Sequence, residues 1–112
     1  MSIITGMTDL AHSVWTPAQV RELDRRASAD YGIPGYELMT RAGQAAFGIA
    51  RERWPDARRW LLLCGSGNNA GDGYVVARLA LAAGLDLTVV ALSDPAQLQG
   101  DAATAWRDFE SA

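Results

Sequence analysis

The segment that most constrains the fold covers residues 64–80, CGSGNNAGDGYVVARLA. It joins a short apolar stretch, RRWLLLCG at residues 58–65, to a helical pattern at residues 72–84, and a second apolar stretch, LDLTVVAL, follows at residues 85–92. Short, nearly continuous apolar stretches are typical of strands that are buried on both faces of a parallel sheet. The order therefore predicts a right-handed βαβ unit with two parallel strands.

Two helices are predicted before this unit. The first begins with a capping box, in which Thr16 and Gln19 cap each other, and it ends at Gly32. The second begins after Pro34 and stops at Pro55. Helical spacing predicts that its buried face consists of Leu38, Ala42, Ala45, Ala46 and Ile49. Because glycine inside a helix is unfavourable, Gly43 and Gly48 also predict close packing along this helix.

One more helix is predicted after the second apolar stretch. Ser93 or Asp94 supplies its cap, Pro95 lies in its first turn, and Gly100 is a candidate break. The order of elements is thus two helices followed by βαβα, which predicts an α/β fold. Residues 1–14 carry no periodic pattern and are predicted to be a flexible N-terminal lead.

Composition excludes several classes of protein. The chain has 112 residues, of which 49% are hydrophobic, as expected for one small soluble domain or a piece of one. Its net charge of −3 argues against nucleic-acid binding. Neither a signal peptide nor an apolar stretch long enough for a membrane span is recognisable. The single Cys64 cannot form an internal disulfide, which favours a reducing, cytoplasmic location.

The loop rich in glycine and asparagine is the candidate functional site. In open α/β sheets, ligands bind at the C-terminal ends of the strands, where this loop is predicted to lie. Glycines let backbone N–H groups approach a ligand, and the start of the following helix favours phosphate. Asn68 and Asn69 add uncharged donors and acceptors, and amide oxygens also suit a hard cation.

Common glycine motifs do not describe this loop. It lacks the Gly-Lys-Ser/Thr sequence of a Walker A loop, and Ala70 occupies the place of the third glycine in the dinucleotide-binding fingerprint. The alternative to a ligand site is a tight βα turn whose glycines serve geometry alone. Local chemistry leaves both interpretations open.

Two longer blocks resemble the NAD(P)H-hydrate epimerase family, the YjeF N-terminal domain. Residues 65–80, GSGNNAGDGYVVARLA, are similar to the family pattern G-x-G-N-N-G-G-D-G with its following apolar residue and helix. Residues 15–43 resemble the opening helix pair, with its G-I-P and L-M-x-x-A-G signatures, and GDAATAW at residues 100–106 resembles the family's G-D-A start. The resemblance covers residues 15–112. It implies the N-terminal part of a Rossmann-like three-layer fold with a mainly parallel sheet.

The resemblance also implies a function. The family interconverts the R and S forms of hydrated NADH and NADPH, an isomerase activity in cofactor repair. The family pattern implies that substrate is bound by Asn68, Asn69, Ala70, Gly71 and Asp72, and that Asn69 helps to bind a potassium ion. Ala70 replaces the family's usual glycine, and a positive φ at this position would strain it. Asp72 would be repelled by a pyrophosphate, so capping of the helix is the alternative role.

The catalytic residue is expected beyond Ala112, so the chain is expected to be incomplete and inactive as an epimerase by itself. Whether a dehydratase domain follows is left open. The expected partner is a small dinucleotide, without nucleic acid or membrane, and a homodimer is left open. Cys64 is interpreted as a buried apolar residue, and Asp101 and Asp108 as solvated helix residues. A non-catalytic Rossmann-like nucleotide-binding or scaffold domain, and an unrelated nucleotide-binding α/β enzyme, are the competing interpretations.

Overall fold

The computed structural model describes residues 14–112, apart from the side chain of Ser28. The chain divides into two compact units, Met1–Gly32 and Ile33–Ala112. Most of the predicted N-terminal lead, residues 1–13, lies outside the described residues. Val14, its last residue, has an exposed side chain.

The described part of the first unit contains one helix, α1, at Pro17–Tyr31. The predicted capping box is confirmed, because the Gln19 N–H donates to Thr16 Oγ1 at 3.2 Å and the Thr16 N–H donates to Gln19 Oε1 at 2.8 Å. Gly32 ends the helix with a φ of 68°, a left-handed conformation that glycine adopts readily. Both ends of α1 therefore follow from local sequence signals.

The second unit contains the predicted βαβ unit. Its elements are α2 at Gly35–Arg53, β1 at Arg59–Cys64, α3 at Asn68–Ala82, β2 at Asp86–Ala91, a 3₁₀ turn at Pro95–Gln97 and α4 at Gly100–Glu110. The two strands are parallel, and the register places Arg59 beside Asp86 and Cys64 beside Ala91. This arrangement confirms the α/β fold class.

The predicted helix after Pro95 is split into two elements. Leu98 and Gln99 return to extended backbone conformations, so only the 3₁₀ turn forms next to β2. Gly100 is the first residue of α4 and has a φ of 59°. Leu98 and Gln99 therefore separate the 3₁₀ turn from α4.

Helix α3 forms the centre of the second unit. Its Tyr74, Val75 and Ala77 are completely buried, and it packs against both strands as well as α2 and α4. The remaining buried hydrophobic residues are Met39, Cys64, Ala70, Val76, Ala80, Leu85, Ala102 and Ala105. Because α3 directly follows β1, this packing fixes the start of α3 at the end of the strand.

The prediction of the buried face of α2 is wrong. Ile49 is 63% exposed, and the residues of α2 that are buried are Met39 and Gly43. A Cβ atom at Gly43 would lie 2.4 Å from Cγ1 of Val75, so the missing side chain lets α3 approach closely. Gly48 has no such neighbour within 4 Å, and the close packing predicted there is also wrong.

The strands are not buried on both faces. In β1, Trp60, Leu62 and Cys64 are partly or fully buried, whereas Leu61 and Leu63 on the other face are 63% and 62% exposed. Alternate strand residues point to opposite faces, and α3 packs against only one of them. β1 is therefore apolar on both faces but buried on only one of them.

The buried hydroxyl of Tyr74 leads to a stability prediction. This hydroxyl has no hydrogen-bond partner among residues 14–112, and burial raises its pKa. The ring packs against Trp106 and Phe109, with centroid distances of 5.0 and 5.9 Å. Tyr74→Phe should leave this packing in place and raise the free energy of unfolding by about 1 kcal/mol in urea denaturation.

Tyr36→Phe is the matched control. The Tyr36 hydroxyl donates a hydrogen bond to the carboxylate of Asp108, which is therefore more than a solvated helix residue. Loss of this bond should lower the free energy of unfolding by about 1 kcal/mol. A comparable loss in Tyr74→Phe would show that the Tyr74 hydroxyl is satisfied in the folded protein.

Candidate functional site

The loops that follow the two strands meet at one edge of the sheet. The Leu92 N–H donates to the carbonyl oxygen of Cys64 at 2.8 Å, and the Ser93 hydroxyl donates to the carbonyl oxygen of Gly65 at 3.4 Å. Between the loops lies a crevice of about 380 Å³. It is lined by Ser66, Gly67, Asn68, Ser93, Asp94, Gln97, Leu98 and Gln99. The crevice lies where ligands bind in open α/β sheets.

The predicted loop is shorter than the sequence pattern indicated. Helix α3 begins at Asn68 rather than at Asp72, so most of the motif forms the first turns of a helix. The turn before it depends on Gly67, whose φ of 116° and ψ of −166° are accessible almost only to glycine. Because the motif continues directly into α3, the connection between β1 and α3 is tight.

The N-terminus of α3 opens into the crevice. Its N-cap residue, Gly67, has no side chain that could bond the first backbone N–H groups of the helix. Both Gly67 and Asn68 line the crevice. Unbonded N–H groups and the helix dipole favour an anionic group at such a position.

The five predicted substrate-binding residues have different environments. Asn68 and Asn69 are exposed, and Asp72 is half-buried. Ala70 is 2% exposed and Gly71 is buried, so their side-chain positions belong to the core. Both asparagine side chains are therefore accessible, and of the five residues Asn68 is the one that lines the crevice.

Ala70 does not have the positive φ that would strain it. The described residues other than glycine all have negative φ, and Ala70 is helical. At Gly71, in contrast, a Cβ atom would lie 2.5 Å from Sδ of Met39 and 3.0 Å from Cα of Ala102. Position 70 therefore has room for a methyl group in the core, whereas position 71 does not.

The second loop of the crevice was missed as part of the site by sequence reasoning. Asp94 was interpreted only as a helix cap, and its Oδ1 indeed accepts a hydrogen bond from the Ala96 N–H at 2.9 Å. It also lines the crevice opposite Gly67 and Asn68. The parallel strand order could have revealed this, since residues that follow β1 and β2 must meet at the same edge.

The crevice has few chemically reactive groups. Cys64, at the end of β1, is 1% exposed, and burial raises the pKa of its thiol, so a reactive thiolate is disfavoured. Among residues 14–112, no three His, Cys, Asp or Glu side chains cluster in a way that could hold a metal ion. The helices in this part of the chain are all too short or too polar to cross a membrane.

A tight glycine turn and a helix N-terminus at the C-terminal ends of parallel strands define a Rossmann-like type of α/β domain. The family model of the YjeF-related protein N-terminus matches residues 35–112. The chain belongs to this family.

Several curated proteins are similar to this chain. The chain is 50% identical over 96 residues to the bifunctional NAD(P)H-hydrate repair enzyme Nnr of Escherichia coli K12, an alignment that covers 86% of this chain and 19% of the relative. It is 52% identical over 87 residues to the bifunctional NAD(P)H-hydrate repair enzyme Nnr of Coxiella burnetii, an alignment that covers 78% of this chain and 18% of the relative. It is 38% identical over 97 residues to the NAD(P)H-hydrate epimerase of Rhodopirellula baltica, an alignment that covers 87% of this chain and 39% of the relative. The chain thus spans about a fifth of the bifunctional relatives and about two fifths of the epimerase.

Proposed function

We propose that residues 15–112 are the N-terminal part of an NAD(P)H-hydrate epimerase domain, and that they supply its nucleotide-binding crevice. The enzyme would interconvert the R and S forms of hydrated NADH and NADPH. The observation that carries this proposal is the crevice itself, in which the Gly67 turn places the N-terminus of α3 against the loop after β2. The names of the relatives point to the same substrate.

The substrate's pyrophosphate suits the start of α3. Backbone N–H groups of Asn68 and Asn69 lie in the first turn, where phosphate oxygens are favourable acceptors. We assign direct side-chain contacts with the substrate to these two residues. Ala70 and Gly71 would act through their backbone and through packing that holds the turn in place. Asp72 remains part of the proposed site, but it is the fifth residue of α3, so the helix-capping role expected from the sequence is wrong.

A potassium ion is the proposed cofactor, with Asn69 as one of its ligands. Hard cations are bound by carbonyl, amide and carboxylate oxygens, and the exposed amide of Asn69 provides one such oxygen. The donor type therefore fits the ion. Bound potassium would supply positive charge next to the anionic substrate.

Replacement of Asn69 tests the proposed function. In the full-length enzyme, Asn69→Ala should raise the KM for hydrated NADPH about tenfold and weaken the dependence of turnover on potassium, because one amide contact and one oxygen ligand are lost. Turnover is measured by chromatographic separation of the two epimers, over a series of potassium concentrations.

Gln44→Ala is the control, because Gln44 is an exposed amide on α2, outside the motif at the start of α3. It should leave KM and potassium dependence unchanged. Equal behaviour of the two variants would remove Asn69 from the site. Nucleotide binding without turnover by the wild-type enzyme would instead support a non-catalytic nucleotide-binding or scaffold domain.

Location and assembly complete the proposal. The single cysteine is free and buried, which fits a reducing cytoplasm. A homodimer is the proposed assembly, to be checked by analytical ultracentrifugation.

A further inference from the structure

The first turns of α2, α3 and α4 meet at one place in the second unit. A Cβ atom built at Gly35, the first residue of α2, would lie 2.5 Å from Oδ2 of Asp101, which belongs to the first turn of α4. A Cβ atom built at Gly71, in the first turn of α3, would lie 3.0 Å from Cα of Ala102. The two glycines therefore let the start of α4 approach both of the other helices.

These three helix starts lack side-chain caps within residues 33–112. The N-cap residues are Pro34, Gly67 and Gln99, and their side chains accept no hydrogen bond from the helices that follow them. Each uncapped start carries unbonded N–H groups and the positive end of a helix dipole. Partial charges of the same sign repel each other when they converge, so an anion among them stabilises the arrangement.

Asp101 brings a carboxylate to this place. Its side chain is half-buried and lies against Gly35, so Asp101 is more than a solvated helix residue. The other acidic residue in these first turns is Glu37, whose carboxylate pairs with the guanidinium of Arg41 at 2.6 Å. The negative charge at the junction of the helix starts therefore comes from Asp101.

The start of α4 also fixes one wall of the crevice. Leu98 and Gln99 line the crevice in extended conformations, and the chain passes from them directly into α4. Gly67 and Asn68, at the start of α3, form the opposite wall. The distance between the two walls therefore depends on how the start of α4 is held against α2 and α3.

We infer that Asp101 is a positioning residue for ligand binding, whose carboxylate holds the start of α4 at the other two helix starts and so keeps the crevice at the width that its ligand requires. The residue acts through the wall at residues 97–99. The inference rests on the proposed function, since it takes the ligand to be a hydrated dinucleotide.

Replacement of Asp101 by asparagine removes the charge and keeps the shape. In the full-length enzyme, Asp101→Asn should raise the KM for hydrated NADPH about fivefold, because an interaction with helix dipoles that orders the crevice is lost. The kcat should stay within about twofold of wild type, since uniform binding is weakened without a change in the reacting groups. A merely structural role would lower the free energy of unfolding and leave KM unchanged, which would overturn the inference.

Gly35→Ala displaces the same carboxylate without removing its charge. The new methyl group would lie 2.5 Å from Oδ2, so the flexible side chain of Asp101 must rotate away from α2. KM should rise to a similar extent as in Asp101→Asn, and the double variant should be no worse than either single variant, because both changes remove one contact. Increases in KM that multiply in the double variant would overturn the inference.

Glu110→Gln is the matched control for net charge. Glu110 is an exposed carboxylate at the opposite end of α4. Its KM for hydrated NADPH should equal that of wild type. A rise similar to that of Asp101→Asn would assign the effect to overall charge and contradict a positioning role.

A binding experiment separates this inference from the proposed function. The probe is ADP-ribose, titrated calorimetrically into the full-length wild type, Asp101→Asn and Glu110→Gln. About fivefold weaker binding in Asp101→Asn alone supports the inference even where no epimerisation is detected, in which case only the proposed function fails. Epimerisation with KM and ADP-ribose affinity unchanged in Asp101→Asn overturns the inference alone. Absence of both turnover and probe binding overturns both.

Discussion

The Gly43→Ala variant should lose about 1–3 kcal/mol of free energy of unfolding, although alanine is the better helix former. The added Cβ atom would lie 2.4 Å from Cγ1 and 2.7 Å from Cβ of Val75. Valine is stiff because it is branched at Cβ, and Val75 is completely buried, so it cannot rotate away without disturbing the core. α2 and α3 must then separate. Urea denaturation should show a lower midpoint for the variant.

Gly48→Ala supplies a control within the same helix. No atom lies within 4 Å of a Cβ built at Gly48, apart from its own helix and chain neighbours, and the position is exposed. This variant should therefore gain about 0.5–1 kcal/mol, since alanine loses less conformational entropy than glycine on helix formation. The free energy of unfolding should thus fall in Gly43→Ala and rise in Gly48→Ala. Equal gains at both would refute the close contact between Gly43 and Val75.

Gly67→Ala should impair ligand binding in the crevice and should disturb the core less than Gly43→Ala does. The backbone of Gly67 has a φ of 116° and a ψ of −166°, and a residue with a side chain adopts this conformation only at a cost of about 1–3 kcal/mol. Relief of that strain moves the start of α3 away from the crevice. For the proposed epimerase activity of the full-length protein, we expect kcat/KM for hydrated NADH to fall about 100-fold, measured by epimer separation.

Gly65→Ala controls for the added methyl group. Neither Gly65 nor Gly67 has an atom within 4 Å of a built Cβ, but only Gly67 has a positive φ. Gly65→Ala should therefore retain activity close to wild type. If both variants lose activity equally, backbone strain at Gly67 is not the cause.

The ends of α1 and the order of elements were predictable because their causes are local. The capping box of Thr16 and Gln19 and the left-handed Gly32 lie within one helix turn of the ends that they fix. The parallel pairing of β1 and β2 followed from two apolar stretches joined by a helix. The position of the candidate site followed in turn, since the loop after β1 must lie at the C-terminal edge of the sheet.

The start of α3 was placed too late because the motif looks like a loop. Glycine and asparagine have low helix propensity, and the sequence NNAGDG contains little else. Yet Gly71 is helical and buried, and the absence of a side chain there lets α3 pack closely against Met39 and the backbone of Ala102. Tertiary packing therefore overrides propensity at this position.

The sequence by itself determined the helix caps, the parallel βαβ unit and the loop that forms one wall of the crevice, because each depends on residues that are close along the chain. Only the tertiary structure decided which side of α2 meets α3, which face of β1 is covered, and that Asp94 joins Asn68 at one crevice. These outcomes depend on which elements approach each other and how closely. That is set by the fit of side chains distant in sequence, such as the absent Cβ of Gly43 against Val75.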